Sequence, residues 1–362
     1  MFSRVFIILY TFGLLQAKTL IAVDHSGKFF ASSYEDGNIL LWDIEKGNLV
    51  FSYSFDCERI TDIDVYSDYD DTSLVSTAAS CSDGSIISIN KNGERSYQKT
   101  YPPFGDVIAV GTMNFSLDGQ YLYCFGNTDV GFITNAVSGN FENYISSALE
   151  NDPIESKLSL NNKHLIAGYS DGRLSVWDVN WDEASNKSTI QLSKSIITDL
   201  ALSSNGTAAI ADRIDYLYLY RYENNKLSEK KKIITNGYAS TVLFNRQGNG
   251  LLTGHGNGRI NYWQIKGNSI EFLDHSEKVI HIGIISDMVL QPDEKQTIVI
   301  SAGVDNYIRF TDFKDYTIMG TIYRDETGWV VYNKNGGYTG TIDIPESFPK
   351  KTNVENPFDG IF

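Results

Sequence analysis

The chain has 362 residues, with 45 acidic and 30 basic side chains and a net charge of −15. Such a field repels phosphate backbones and anionic lipid, so the expected partner is a protein with a basic patch, and not nucleic acid. With 22 Tyr, 19 Phe and 30 Gly against 7 Pro, the composition suits short strands joined by tight turns rather than helices.

In chain order, the first element is MFSRVFIILYTFGLLQAK. Arg4, an apolar run from Val5 to Leu15 and Ala17 ahead of Lys18 have the layout of an export signal over residues 1–17. This predicts a periplasmic or otherwise extracytoplasmic protein, with a first strand of a cytoplasmic protein as the alternative. The run is too short for a transmembrane helix, so no membrane span is expected.

Beyond residue 18 one pattern recurs: an Asp-Gly turn, or a substitute for it, closes one apolar run and opens another. It stands as EDGNILLWDI at Asp36, SDGSIISINK at Asp83, TDVGFITNAV at Asp129, SDGRLSVWDV at Asp171, IDYLYLYRYE at Asp215, GNGRINYWQI at Asn257 and VDNYIRFTDF at Asp305. The steps are 47, 46, 42, 44, 42 and 48 residues. A second turn precedes most of these by about ten residues, and a further apolar run follows each, which makes four strands per unit. A four-stranded sheet cannot bury both faces alone, whereas seven packed radially can, so the expected fold is all-β, a seven-bladed β-propeller over residues 18–323.

The segment GWVVYNKNGGYTGT within 324–341 reads as an extra hairpin on the last blade, and 342–362 as a loosely held tail. The first blade needs no strand from the C-terminus, so ring closure is expected to rest on packing. Trp42, Trp177 and Trp263 end third strands and are expected between blades, with Ile89, Arg221 and Thr311 at that position elsewhere. Asp36 and Asp171 are read as structural turn residues.

EDGNILLWDI and SDGRLSVWDV resemble the WD-repeat family of β-propellers, and the resemblance extends by spacing over residues 19–323. It is that of a divergent, exported bacterial member. It implies a non-enzymatic scaffold that binds proteins through its rim loops, monomeric and without cofactor. The family's Gly-His pair, whose His bonds towards the turn Asp and the Trp, is missing; only LDHSEK, with His275, is similar. Exported WD-like propellers of this size accompany periplasmic nitrate reductases in some bacteria, so an assembly factor for a periplasmic redox enzyme is one alternative reading. Another is an enzyme or small-ligand binder in the central channel, whose sign would be convergent acidic or His side chains with perturbed pKa values.

Beside the turns between second and third strands stand Tyr34, Tyr169, Arg213 and His255, which are expected to project at the rim as binding residues. Cys57, Cys81 and Cys124 cannot all pair, and are expected as buried apolar filler. No spacing of Cys or His suggests a metal. DVYSDYDDTS, from Asp64, reads as a solvated loop, Gly-rich TGHGNGRIN as a blade turn, and the lysines of EKKKI as a solvated strand edge.

Overall fold

The computed structural model describes residues 19–361 except 69–70, 72, 102–108, 127–129, 147–152, 160–162, 181–182, 204, 225, 268, 274–278, 292–296, 326, 343–351, 355, 357 and 359–360. The expected export signal therefore lies outside the described residues, as do Asp129 of the blade 3 turn and His275. Six four-stranded antiparallel sheets and one seven-stranded sheet follow one another, and no helix occurs among the described residues. The fold is a seven-bladed propeller. Its innermost strands are Leu20–Val23, Ile60–Ser67, Val110–Phe115, Pro153–Leu158, Ile197–Leu202, Ala239–Phe244 and Ile285–Leu290, and each neighbours the next, the last neighbouring the first.

The recurring turn explains itself chemically. In blades 1, 2, 4, 6 and 7 the first turn residue, Asp36, Asp83, Asp171, Asn257 or Asp305, accepts a hydrogen bond from the backbone N–H two residues on. The following residue takes the left-handed conformation, as at Gly37 with φ 76°. Blade 5 departs from this. There Asp215 itself holds φ 71°, so Ile214 stands at the Asp position and the register shifts by one. Tyr220, not Arg221, thereby faces Ala208 as Trp42 faces Phe30, and it packs with Tyr218 on Ile166, Leu174 and Val176 of blade 4.

Aromatic side chains fill the seams between blades. Trp42 lies with Phe30 and Phe310 between blades 7 and 1, Trp177 with Phe125 and Leu165 between blades 3 and 4, and Trp263 with Leu217 and Leu251 between blades 5 and 6.

Closure is more than packing. The Ile21 N–H donates to Asp287 Oδ2 at 3.0 Å and Ser286 Oγ donates to Thr19 O at 2.7 Å, tying blade 7 to blade 1 at the inner ring. On the outside, Gly328–Asn333 and Gly337–Gly340 form the hairpin that extends blade 7, and Thr352–Asn353 adds in parallel. The chain then crosses to blade 1, where the Asn356 amide reaches Glu45 O at 3.5 Å. Phe358 and Ile361 are buried against Trp42 and Phe310. Within the segment expected as a loose tail, these two apolar residues are therefore held, and they fill the closing seam.

The cysteine expectation is also corrected. Cys57, in the link from blade 1, is disulfide-bonded to Cys81 at the end of the second strand of blade 2, while Cys124 is free and buried. Only two of the three need pair, and propeller geometry brings each link over the next blade's second strand. Closing this loop constrains the unfolded chain, so Cys57→Ser is expected to lower stability by roughly 3 kcal/mol in urea denaturation. An unchanged midpoint under reducing and oxidising conditions would show the bond to be absent or idle.

Candidate functional site

Because each blade is a simple antiparallel meander, the links between blades and the turns between second and third strands share one face. Three of the four expected binding residues do not project from it. Tyr34, Tyr169 and His255 are 6, 0 and 2% exposed. Tyr169 and His255 end second strands in pairing with Pro153 and Ala239 of the inner strands, and Tyr34 stands at the same place, so their side chains enter the seams. The Tyr34 and Tyr169 rings are roofed by cations, Arg324 at 4.7 Å and Arg173 at 5.7 Å. Those cations are held by the turn acids: Arg324 on Asp36 at 2.6 Å and Arg173 on Asp171 at 2.5 Å.

His255 joins a relay in which Trp263 Nε1 donates to Thr253 Oγ1 at 2.9 Å and that hydroxyl meets His255 Nε2 at 2.8 Å. Nδ1 then donates to Gly237 O at 3.1 Å. Burial lowers the His255 pKa, so the neutral ring suits this chain of bonds. Arg213 alone is half-exposed. The register shift at Asp215 moves it one place out of the strand and onto the turn.

The same face carries residues that the pattern of turns did not single out. Ile214, Ile234, Val279 and Ile282 are 54, 62, 56 and 81% exposed. All four lie over blades 5 to 7, on the turn, the strand end and the link between blades. Single exposed aliphatics are ordinary, but four on one sector of one face mark a surface fit for contact.

Inside the ring, the channel holds a second cluster. Three innermost strands begin alike, Ile60-Thr61-Asp62, Ile197-Thr198-Asp199 and Ile285-Ser286-Asp287. In each, the hydroxyl donates to a backbone carbonyl of the next blade, Thr61 to Val110, Thr198 to Ala239 and Ser286 to Thr19. The carboxylate accepts the next blade's N–H, Asp62 from Met113 at 2.7 Å, Asp199 from Val242 at 2.7 Å and Asp287 from Ile21 at 3.0 Å.

Asp64 takes the Phe115 N–H at 2.8 Å and Asn114 that of Leu158 at 3.3 Å, a second tier of the same clasp. This corrects the reading of Asp64 as part of a solvated loop: it lies on the innermost strand of blade 2. The threefold Ile-Thr/Ser-Asp is the sequence signal that could have exposed the clasp.

Between these acids, Glu155 pairs with Lys157 at 3.1 Å, and Lys157 keeps 45% of its side-chain surface open. Burial opposes the lysine's charge, but Glu155, Asp199, Asp62 and Asp287 outweigh it and push its pKa well up. Burial, followed by the Glu155 charge, raises Asp62 to about 8 and Asp199 to about 7, against the pull of Lys157. Convergent acids with perturbed pKa values are therefore present, yet Asp62, Asp199 and Asp287 are each bonded to the backbone of a neighbouring blade. No group of three His, Cys, Asp or Glu able to hold a metal occurs among the described residues.

Residues 19–43 match the family described as WD domain, G-beta repeat. A solved structure similar to the chain, "Crystal Structure of Mitotic Checkpoint Complex", has a TM-score of 0.67 at 12% identity, over 81% of this chain and 89% of that one. That likeness is one of fold. A search of curated protein sequences gave no match.

Blade 7 holds a buried polar cluster around His281, of the kind that the resemblance to WD repeats implies. His281 Nε2 meets Ser301 Oγ at 2.8 Å and Nδ1 meets Asp305 Oδ1 at 2.9 Å. Burial alone would raise Asp305, but the bond from His281, the Ile282 N–H and Arg309 hold it well below the usual carboxylate range. Thr311 stands where the repeat's Trp would be.

Proposed function

We propose that this propeller is an exported, non-catalytic platform that binds a protein partner on the face of the links and second-to-third strand turns. The observation that carries this reading is the exposure of Ile214, Ile234, Val279 and Ile282 on a face where Tyr34 and Tyr169 are held beneath Arg324 and Arg173. WD-type propellers are typically scaffolds for protein partners, and the solved structure similar in fold is named as a complex. The hydrogen bonds that Asp62, Asp199 and Asp287 accept from neighbouring blades support a structural rather than a reacting role for them.

Cross-linking in native cells followed by purification tests the reading. Ile214→Ser with Ile282→Ser should lose the partner that wild type retains, whereas Val137→Ser, on the opposite face, should keep it. Retention by all three chains would sink the proposal.

Export is supported by the layout of residues 1–17 and by the Cys57–Cys81 bond, which persists in oxidising compartments. Intact mass of the native protein should place its N-terminus at Lys18. A soluble mature chain that keeps Met1 would move it to the cytoplasm.

A further inference from the structure

We propose that the sector of this face over blades 5 to 7 receives a peptide segment of the partner in which carboxylates alternate with aliphatic or aromatic side chains. This specification rests on the platform reading above. The surface is continuous through the fold. Ile234 pairs with Tyr216 beside the Ile214 turn, and the Arg213 charge acts on Tyr238. Tyr238 O accepts from Gly256 at 3.4 Å, and Arg259 pairs with Val279. Ile282 N donates to Asp305 at 3.0 Å, and Gly283 lies against Val304.

The charge here runs against that of the whole chain. Lys194, Arg213, Lys232 and Arg259 stand in this sector, against Asp215, against Asp212, which is buried and takes the Ser193 and Tyr218 hydroxyls, and against Asp305, which Arg309 already neutralises at 2.8 Å. Elsewhere on the face the arginines are committed, Arg173 to Asp171 and Arg324 to Asp36. Among the described residues Arg213 and Arg259 make no ion pair. In a chain of net charge −15, a local excess of cations beside four exposed aliphatics selects an acidic, apolar segment, and like-charge repulsion from the rest of the surface confines it to this sector. The overall acidity pointed to a basic partner; the local surface points to the opposite sign.

The test is selection of a random peptide display library on the full chain, followed by titration of the enriched peptides as synthetic copies. Enriched peptides should be rich in Asp or Glu with Leu, Ile or Phe. Their affinity should fall by about tenfold or more in Arg213→Glu/Arg259→Glu and in Ile282→Ser, with melting temperatures unchanged. Basic or uncharged peptides that still depend on Ile282 would overturn the inference and leave the platform reading standing. Peptides indifferent to every face variant would overturn both, and absence of enrichment would overturn the inference. Phosphatidylglycerol vesicles that sediment with wild type but not with the Arg variant would assign the patch to a membrane. A dimer lost in Ile282→Ser would assign it to a second copy. Either result overturns the proposal.

Discussion

Ending the chain at residue 351 is expected to lower its stability by on the order of 5 kcal/mol, the sum of two lost apolar burials and the uncovered seam beneath them. Phe358 and Ile361 are each 2% exposed and pack on Trp42, itself fully buried. The Trp42 ring meets Trp329 edge-on at 4.6 Å and Phe358 at 6.0 Å, so removal of the segment opens one side of an aromatic cluster that joins the first blade to the last. Phe358→Ala should reproduce about 3 to 5 kcal/mol of the loss, the usual range for a buried ring. Urea denaturation of the truncated and point variants is the measurement. A truncated chain with the wild-type midpoint would show the segment to be a passenger.

Stability is expected to fall as pH rises from about 4 to about 8. The sign follows from Asp62 and Asp199, whose folded-state pKa values of about 8 and about 7 lie above the ordinary 3.8, with burial as the largest cause and Glu155 next. In that window the folded chain holds more protons than the unfolded one, so their contribution is full at low pH and is lost as pH climbs through the folded values. Asp36 and Asp305 are shifted the other way, and their support fades only in acid; His255 and His281, whose pKa values burial lowers, oppose the trend below the ordinary 6.5, so the fall is steepest above it.

Asp199→Asn keeps an acceptor for the Val242 N–H and removes the charge, and its amide NH2 gives up the bond that Oδ1 takes from the Leu200 N–H, which offsets part of the gain. It should raise stability at pH 8 by on the order of 2 kcal/mol and flatten the slope. Urea midpoints across the range decide it. An unaltered slope in Asp199→Asn would mean that Asp199 is not held as a neutral acid.

Much of the architecture was legible because the turns are chemically obligatory. Asp-Gly at Asp36 and Asp171 reads directly as a left-handed turn, and regular spacing then counts blades. Register within a blade was less legible where another residue takes the glycine's conformation. Asp215 does so, and a shift of one residue exchanged Arg221 for Tyr220 and placed Arg213 on the turn. The site was harder still. A residue two places before the turn looks surface-bound in sequence, yet Tyr34, Tyr169 and His255 point into seams, Tyr169 and His255 because they are still paired as strand residues and Tyr34 because it directly follows its strand. Exposure of Ile282 is invisible in sequence, since nothing local distinguishes it from its buried neighbour Ile280.

The closing bond between Ile21 and Asp287 spans 266 residues. Synthesis runs from the first blade to the last, so the first blade must wait, its inner strand without one neighbour, until nearly the entire chain has emerged. Prematurely ended chains lack the closing blade and cannot shut. This makes maturation a single late event rather than a succession of finished blades, and it gives quality control a simple criterion: a ring is either shut or open.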